Sequence, residues 1–299
     1  MAAANEPRTR TLISQVQLDR PVGRTLYWIV FWTLMVLFAA VFLFPLYWMV
    51  TGGLKSAQEI VQTPPTVVPH HAHPSNYVSA WNDADLGRLI MNTVLYALGA
   101  LGFQLVFDVA AAYSLSRLRP VLGNVIFALM LATLMIPATV LVVPQYVTIA
   151  DLPLLHLNLI GSPEAIWLPS VANAFNIFLL KRFFDSIPGD LLSAAAIDGA
   201  SPLRTLRSVV LPISRPIIGV VSIFSLVAVW KDFLWPLLVE YGYNPNRETL
   251  NVGIFEAAST TPQNLVLAAS AMASVPTLVF FLVFQRNILS GLTAGSLKG

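Results

Sequence analysis

The chain contains no cysteine in its 299 residues. That excludes disulfides and thiolate-ligated metals, and it leaves the compartment open. Charge is scarce as well. Asp, Glu, Lys and Arg make up 11% of the residues, against about 25% in soluble domains. With 56% hydrophobic residues and a mean hydropathy of +0.71, the composition is that of a membrane protein. The isoelectric point of about 9.0 does not point to nucleic acid, because the net charge is only +2 and the basic residues flank apolar runs. There is no Gly-x4-Gly-Lys-Ser/Thr phosphate loop, so the chain by itself should bind no ATP. His-Glu-x2-His, a glycine-rich dinucleotide loop and a defensible Ser/His/Asp set are missing too. The first apolar run is too long for a secretory signal and lacks a small-residue cleavage site, so it is expected to be a retained span.

What the chain does have is long apolar runs. About 20 such residues cross roughly 30 Å of hydrocarbon as a helix. Six runs are expected to span: Leu26–Val50, Leu89–Tyr113, Val121–Val143, Glu164–Leu180, Ile213–Val239 and Asn264–Phe284. Pro45, Pro137, Pro144, Pro169 and Pro276 are expected to kink or end them. Tyr27, Trp28, Tyr47 and Trp48 sit at the ends of the first run, where interface aromatics belong. Residues 51–87 are polar, and Pro64, Pro65, Pro69 and Pro74 deny them a long helix. His70, His71 and His73 lie there without an accompanying carboxylate or Cys at ligand spacing. They read as a solvated loop sooner than a metal site, and no metal is assigned.

The fold class expected is therefore all-α and polytopic. Residues 1–25 form a tail, 26–87 the first span and an external loop, 88–285 the core, and 286–299 a second tail. Charge sets the orientation. With both termini and the loops at 114–120 and 181–215 inside, 13 of 17 Lys/Arg lie inside, three (Lys55, Arg88, Arg247) outside, and Lys231 within a span. That asymmetry fits the positive-inside rule.

Several polar residues interrupt the spans. Asp108 either faces a partner or wet cavity, or pairs with a local base such as Arg117. Asn173 and Asn176, three apart on one helix face, either line a polar path or bond a neighbouring helix. Trp230, Lys231 and Asp232 either meet a solute or form an internal ion pair or anchor, and adjacent residues on a helix point about 100° apart.

Between the fourth and fifth runs lies a polar, Ala-rich stretch, 186–212. Pro188 suits a first helical position, and Asp190 complements the positive first turn. Leu191 to Ile197 are good helix formers, and Gly199 fits a left-handed stop. Ser201-Pro202 reads as the cap and first residue of a second short helix ending near Pro212. Two short helices should meet at a glycine corner.

This stretch resembles the EAA loop of ATP-binding-cassette importer permeases. Ala194-Ala195, Ile197-Asp198-Gly199-Ala200-Ser201 and Leu211-Pro212 match it in type and spacing, while Ser193 stands where the family has Glu. Further matches to maltose-permease-like sugar importers cover most of residues 74–299. They are Ser75-Asn76-Tyr77, Asn92-Thr93, Ala111-Ala112-Tyr113 with Arg117, Ile136-Pro137, Pro144, Trp230-Lys231-Asp232-Phe233 (Lys for the usual Asn) and the Gly291–Gly299 end.

The resemblance implies a type I importer permease fold in a bacterial inner membrane, multi-pass, with both termini cytoplasmic. It implies a non-catalytic subunit whose coupling helix, with Ser193, Ala194, Ala195, Ile197, Asp198, Gly199, Leu211 and Pro212, docks on an ATPase, the small face Ala194, Ala195 and Ile197 being expected to enter a pocket there. The implied partners are a second permease subunit, two ATPase subunits, an external solute-binding protein and the lipid bilayer. ATP and Mg would sit on the ATPase, with no cofactor on this chain. The expected solute is a sugar or oligosaccharide, or alternatively glycerol-3-phosphate or a polyol derivative. A lipid-modifying enzyme, using Asp108 or the His70–His73 group, would leave the 186–212 stretch unexplained.

The charge asymmetry predicts that Asn5→Cys and Ser296→Cys are shielded from an impermeant thiol reagent added outside intact cells. Ready labelling at both positions would invert the topology.

Overall fold

The computed structural model describes residues 21–294, and the expected tails at 1–20 and 295–299 lie outside the described residues. Fifteen α-helices occur among the described residues. They are α1 Pro21–Gly53, α2 Ala57–Ile60, α3 Ser75–Asp83, α4 Leu86–Tyr113, α5 Gly123–Thr133, α6 Ala138–Ala150, α7 Glu164–Trp167, α8 Ala174–Ser186, α9 Gly189–Ile197, α10 Pro202–Thr205, α11 Leu211–Ile213, α12 Arg215–Lys231, α13 Leu234–Val239, α14 Leu250–Ala257 and α15 Gln263–Ala294. π-helical turns at Ser114–Leu118 and Leu206–Val210 extend α4 and join α10 to α11. The all-α class holds, and among the described residues there is no β-strand beyond an isolated bridge between Leu152 and Leu157.

Three helices are long and apolar enough to cross a bilayer unbroken: Pro21–Gly53, Leu86–Leu118 and Gln263–Val283. The other expected spans are interrupted. α5 and α6 meet at 108° across residues 134–137, and the 202–213 segment meets α12 at 82°. Counting each bent pair once raises the total to five, so six continuous spans are not what the chain forms. The expected fourth span divides into α7, an irregular 168–173 segment holding Pro169, and α8. The fifth breaks at Asp232-Phe233.

Proline explains part of this. Pro137 caps α6, where a residue without an N–H loses nothing. Pro45, Pro144 and Pro276 are carried inside α1, α6 and α15 without ending them. Helix bounds shift as well. α1 already includes Pro21, ahead of the expected Leu26, and α15 continues through Ala294, past the expected boundary at 286.

α4 is the central strut. It packs on α8 and α12, and α15 packs on α1, α3 and α12. One apolar cluster, including Ala112, Leu180, Phe184, Val210 and Val221, ties the C-terminal half of α4 to α8, α12 and the 206–210 turn. A second, including Leu86, Leu89, Trp230, Leu250 and Ala268, lies at the other end of α4. A third, including Tyr96, Ala165, Ile166 and Val239, seats α7 and α13 against the middle of α4. The face of α1 is open: its most apolar window buries nothing, and Trp32, Phe38 and Phe42 stand more than half exposed. For a spanning helix that surface belongs to lipid tails or a neighbouring subunit.

Gly99 admits the closest approach in this core. A Cβ there would lie 2.4 Å from the Trp167 ring, whereas at Gly102, one turn on, nothing stands within 4 Å. Gly99→Val should therefore destabilise the purified protein by about 1–3 kcal/mol more than Gly102→Val. Equal midpoints in thermal or denaturant unfolding would show that α7 does not dock here.

Candidate functional site

The 186–212 stretch folds as the corner its residues imply. Pro188 caps α9 with an extended ψ of 133°, and Asp190 stands in the first turn. The helix closes in a Schellman arrangement: the Gly199 N–H donates to the Ala196 carbonyl (3.0 Å) and the Ala200 N–H to that of Ala195 (2.9 Å). Gly199 takes φ +74°, a region an L side chain rarely adopts. Ser201 Oγ then accepts the Arg204 N–H at 3.4 Å, and Pro202 occupies the first position of α10. The second helix runs on through the π turn, past Leu211 and Pro212, to Ile213.

The expected docking face is split. Ala194 and Ile197, three apart, point outward beside the exposed Asp198 and Gly199, and Ile197 is 86% exposed, while Ser193 lies on the other flank, at a cleft it shares with Gly189 and Ala196. Ala195 turns inward at 9% exposure, because α9 packs against α10 and the 206–210 turn. Leu203, 73% exposed, joins the outward apolar surface from the far side of the corner.

The corner is tied to α4 by polar bonds. The Tyr113 hydroxyl donates to the Pro202 carbonyl at 3.0 Å. Arg117 donates to the Ile187 carbonyl at 2.9 Å and to that of Phe184, so it holds the end of α8 and does not pair with Asp108. Ser116 Oγ donates to Asp185 at 2.6 Å, and Lys181 bonds the other carboxylate oxygen at 2.8 Å. Burial pushes the Asp185 carboxyl up, but the Lys181 and Ser116 hydrogen bonds and the Arg117 charge outweigh it and hold it below the usual range. Tyr113 and Arg117 were legible as motif residues, but their targets, main-chain carbonyls about 70 to 90 residues away, carry no sequence signal.

Asp108 has a different task. Its carboxylate accepts the Asn173 N–H at 2.9 Å. Asn173 lies off the helix: it is the N-cap of α8, its side chain accepting the Asn176 N–H at 3.1 Å, so the two asparagines do not share a helical face. Asn176, 2% exposed, donates to Ser225 of α12 at 3.2 Å. Bonding a neighbouring helix is the role its geometry supplies.

The 230–232 triplet divides between two clefts. Trp230 and Lys231 line one of about 450 Å³, with Asn251, Ser270, Ser274 and Thr277. Asp232 lines another of about 300 Å³, with Gln145, Ser170, Trp235 and Thr249. Among the described ion pairs there is none between Lys231 and Asp232. The break is held from α14, where the Asn251 amide donates to the carbonyls of Trp230 and Asp232, both at 3.1 Å. No group of three metal-ligating side chains stands together among the described residues, the three loop histidines included.

Broken apolar helices gathered on one strut, with a polar corner projecting at its end, define a polytopic membrane protein. The chain belongs to the family described as binding-protein-dependent transport system inner membrane component, whose profile matches residues 104–288. It is 33% identical over 261 residues to the sulfoquinovosyl glycerol transport system permease protein SmoH of Agrobacterium fabrum, covering 86% of this chain and 89% of that one. It is 31% identical to the diacetylchitobiose uptake system permease protein NgcG of Streptomyces coelicolor, over 89% and 87% of the two chains. To the sn-glycerol-3-phosphate transport system permease protein UgpE of Salmonella typhi it is 30% identical, over 87% and 94%. In fold it is similar to a chain of a bacterial ABC transporter involved in the import of the acidic polysaccharide alginate, with a TM-score of 0.75 at 23% identity, over 89% of this chain and 98% of that one. The chain is thus a permease subunit of a binding-protein-dependent transport system.

Thr249, which lines the Asp232 cleft, follows a loop with two buried carboxyls. Burial pushes Glu240 up to about 8, against the pull of Tyr96 and the Thr249 N–H. Burial and the neighbouring Glu256 push Glu248 up to about 7, against the pull of Arg88. Both folded values lie above the ordinary carboxyl value, so their stabilising effect is complete below that value and is lost as pH rises through 7–8. Amide exchange over residues 240–257, corrected for intrinsic rates, should be faster at pH 8.5 than at pH 5.5, and Glu240→Gln should flatten the difference. A profile independent of pH in the parent chain would remove this proton-held loop.

Proposed function

We propose that this chain forms half of a solute pathway and that its corner passes ATP-driven movement of a separate ATPase to the broken spans. The observation that carries this reading is the corner itself. Ala194 and Ile197 face outward, and Tyr113 and Arg117 bind its base to the end of α4. The coupling residues are Ser193, Ala194, Ala195, Ile197, Asp198, Gly199, Leu211 and Pro212. Of these Ala195 acts from inside, by spacing α9 from the turn beneath it. The complex comprises a second permease subunit, two ATPases that bind ATP and Mg, and an external solute-binding protein. Both termini and the corner lie in the cytoplasm, as the Lys/Arg asymmetry argues.

The solute is a sugar or oligosaccharide. Permeases similar to this chain serve sulfoquinovosyl glycerol and diacetylchitobiose. Trp230 offers an aromatic face, and Asn251, Ser270, Ser274 and Thr277 offer partners for hydroxyls. One observation favours the second reading, an anionic polyol derivative such as glycerol-3-phosphate. Lys231 opens into that cleft, and no carboxylate lines it. In the alternating-access picture Asn173 and Asn176 then govern the pathway by bracing the break in the fourth span.

Gly199→Val places a β-branched residue at φ +74°, a strain of about 1–3 kcal/mol with no steric clash around it. It should leave membrane level unchanged while lowering ATPase pull-down and solute uptake together. Ala195→Trp should do the same by prising α9 off the turn, and Ser193→Ala should be nearly silent. In the same uptake assay Lys231→Leu should reduce an anionic solute about tenfold more than a neutral one if the second reading holds. Normal pull-down and uptake in both Gly199→Val and Ala195→Trp would mean that the corner is not the coupling element.

A further inference from the structure

Behind the corner, on the side away from Ala194 and Ile197, lies a cleft of about 460 Å³ beside the ties that Tyr113 and Arg117 make. It opens between the π turn that ends α4 and the inner side of α9, and Arg117, Arg119, Gly189, Ser193 and Thr205 line it. Four features make it a seat for an anion. Arg119 is a non-glycine residue at φ +48°, a conformation held by its own N–H bond to the Ser114 carbonyl (2.9 Å). Its Nε donates to the Ser116 carbonyl at 3.3 Å, and among the described residues the two terminal nitrogens of the guanidinium have no partner. Arg117 Nε is buried and unbonded. Gly189 brings to the wall the first turn of a nine-residue helix whose N-cap, Pro188, makes no side-chain hydrogen bond. No carboxylate lines the cleft, and Asp185, which bonds the lining Ser116, is also bonded to Lys181.

The rim selects among anions. Next to Arg119 stand Leu118, Val121 and Leu122, each more than half exposed, and Val121 fully so. An exposed leucine-valine edge around an unpaired guanidinium, at the end of a membrane-spanning helix, is the pattern of a phospholipid site: phosphate on the basic groups, acyl chains on the apolar edge. An acidic side chain from an ATPase docked on Ala194 and Ile197 would have to pass around α9, and it would not explain the apolar edge. We propose that this cleft binds the phosphate of an anionic phospholipid and that Ser193 keeps the seat open. The lipid would brace α9 against the end of α4, so the coupling corner would be fully ordered only in an anionic membrane. The orientation proposed above decides only which leaflet supplies the lipid.

The test uses the full-length chain in neutral detergent micelles, doped with phosphatidylglycerol or phosphatidylcholine at equal mole fraction, and counts retained lipid by native mass spectrometry. One phosphatidylglycerol should be retained in preference to phosphatidylcholine. Arg119→Gln should weaken retention by about fivefold or more. Ser193→Glu, which puts a carboxylate in the seat, should do the same, and Arg119→Lys should recover part of the loss. Arg182→Gln, an exposed charge on the same end of the bundle but outside the cleft, should change nothing. Matched unfolding midpoints in undoped micelles would show that the variants fold. Equal retention of the two lipids, or equal loss with Arg182→Gln, would overturn the proposal. If 10 mM inorganic phosphate alone protects residues 186–205 from amide exchange and phosphatidylglycerol does not, the seat is for free phosphate and the lipid is wrong. Protection that appears only with the ATPase, whatever the lipid, would assign the seat to a partner carboxylate and overturn it equally. None of these outcomes depends on the coupling experiments, so the two readings fail separately.

Discussion

The constraint on which the structure depends is that a backbone broken inside a bilayer must find its hydrogen bonds within the protein. Water is not there to supply them, and each unsatisfied group costs several kcal/mol. Two breaks in this chain show how the constraint is met. At 168–173 the freed groups turn to α4, where Gln104 donates to the Ser170 carbonyl and Asp108 accepts the Asn173 N–H. Gln104 and Asp108 are four apart, on one face of a helix, so a single polar stripe serves both sides of the gap. At 232–233 the donor is Asn251, which takes two carbonyls at once. α14 is in turn set by α4, since Thr93 Oγ accepts the Leu250 N–H at 2.8 Å.

The same device places the corner under mechanical control of the strut. α4 touches the 168–173 break at mid-length and the corner at its C-terminal end, through Tyr113, Ser116 and Arg117. These contacts reach main-chain carbonyls, or an aspartate on the end of α8, so they fix backbone position and not merely side-chain packing. The bonds of Tyr113 and Arg117 are directional, and that of Ser116 goes to a charged carboxylate, the stronger kind of hydrogen bond. A push on the corner therefore moves the α4–α8 pair as a body. α12 follows, through Asn176 and Ser225 and through the apolar cluster around Val221. The clefts at the far ends of α12 and α13 are where that movement would be felt. They are lined by residues on either side of a break, which can rotate relative to each other in a way that a continuous helix cannot.

The outer surface divides on physical grounds. α1 is exposed along its whole apolar length, as suits a helix whose neighbours are lipid or a second subunit. The loop from Lys55 to His73 is knit by its own polar groups. Lys55 lies over the Trp48 ring and is bonded to the Thr66 carbonyl, and Glu59 accepts from Thr66 and from the His70 N–H. This is the opposite of the 118–122 edge, where apolar side chains face outward and an arginine stays unpaired. The contrast marks one loop as self-contained and the other as open on its apolar side.

Much was legible in the residues alone. Hydropathy and charge asymmetry identified a polytopic membrane chain. The order Pro188, Asp190, Gly199, Ser201, Pro202 specified two short helices and a left-handed corner, because each of those residues acts on the backbone within three or four positions of itself. The motif around Ala194 to Ser201 carried the family. What the sequence left open depends on contacts between residues more than ten positions apart. Ala194, Ala195 and Ile197 read as one face, yet packing against the 206–210 turn drew Ala195 inward. Asn173 and Asn176 read as helical neighbours, yet Asp108 and Pro169 stopped the helix between α7 and α8. Lys231 and Asp232, adjacent in the chain, went to different clefts once the span broke between them and Leu234. Proline could not decide this by itself, since Pro45, Pro144 and Pro276 sit inside intact helices. Local punctuation determined the corner and the membrane class. Only the tertiary structure decided where spans break, because a break in a bilayer is stable only where a distant side chain is placed to receive the freed N–H and C=O groups.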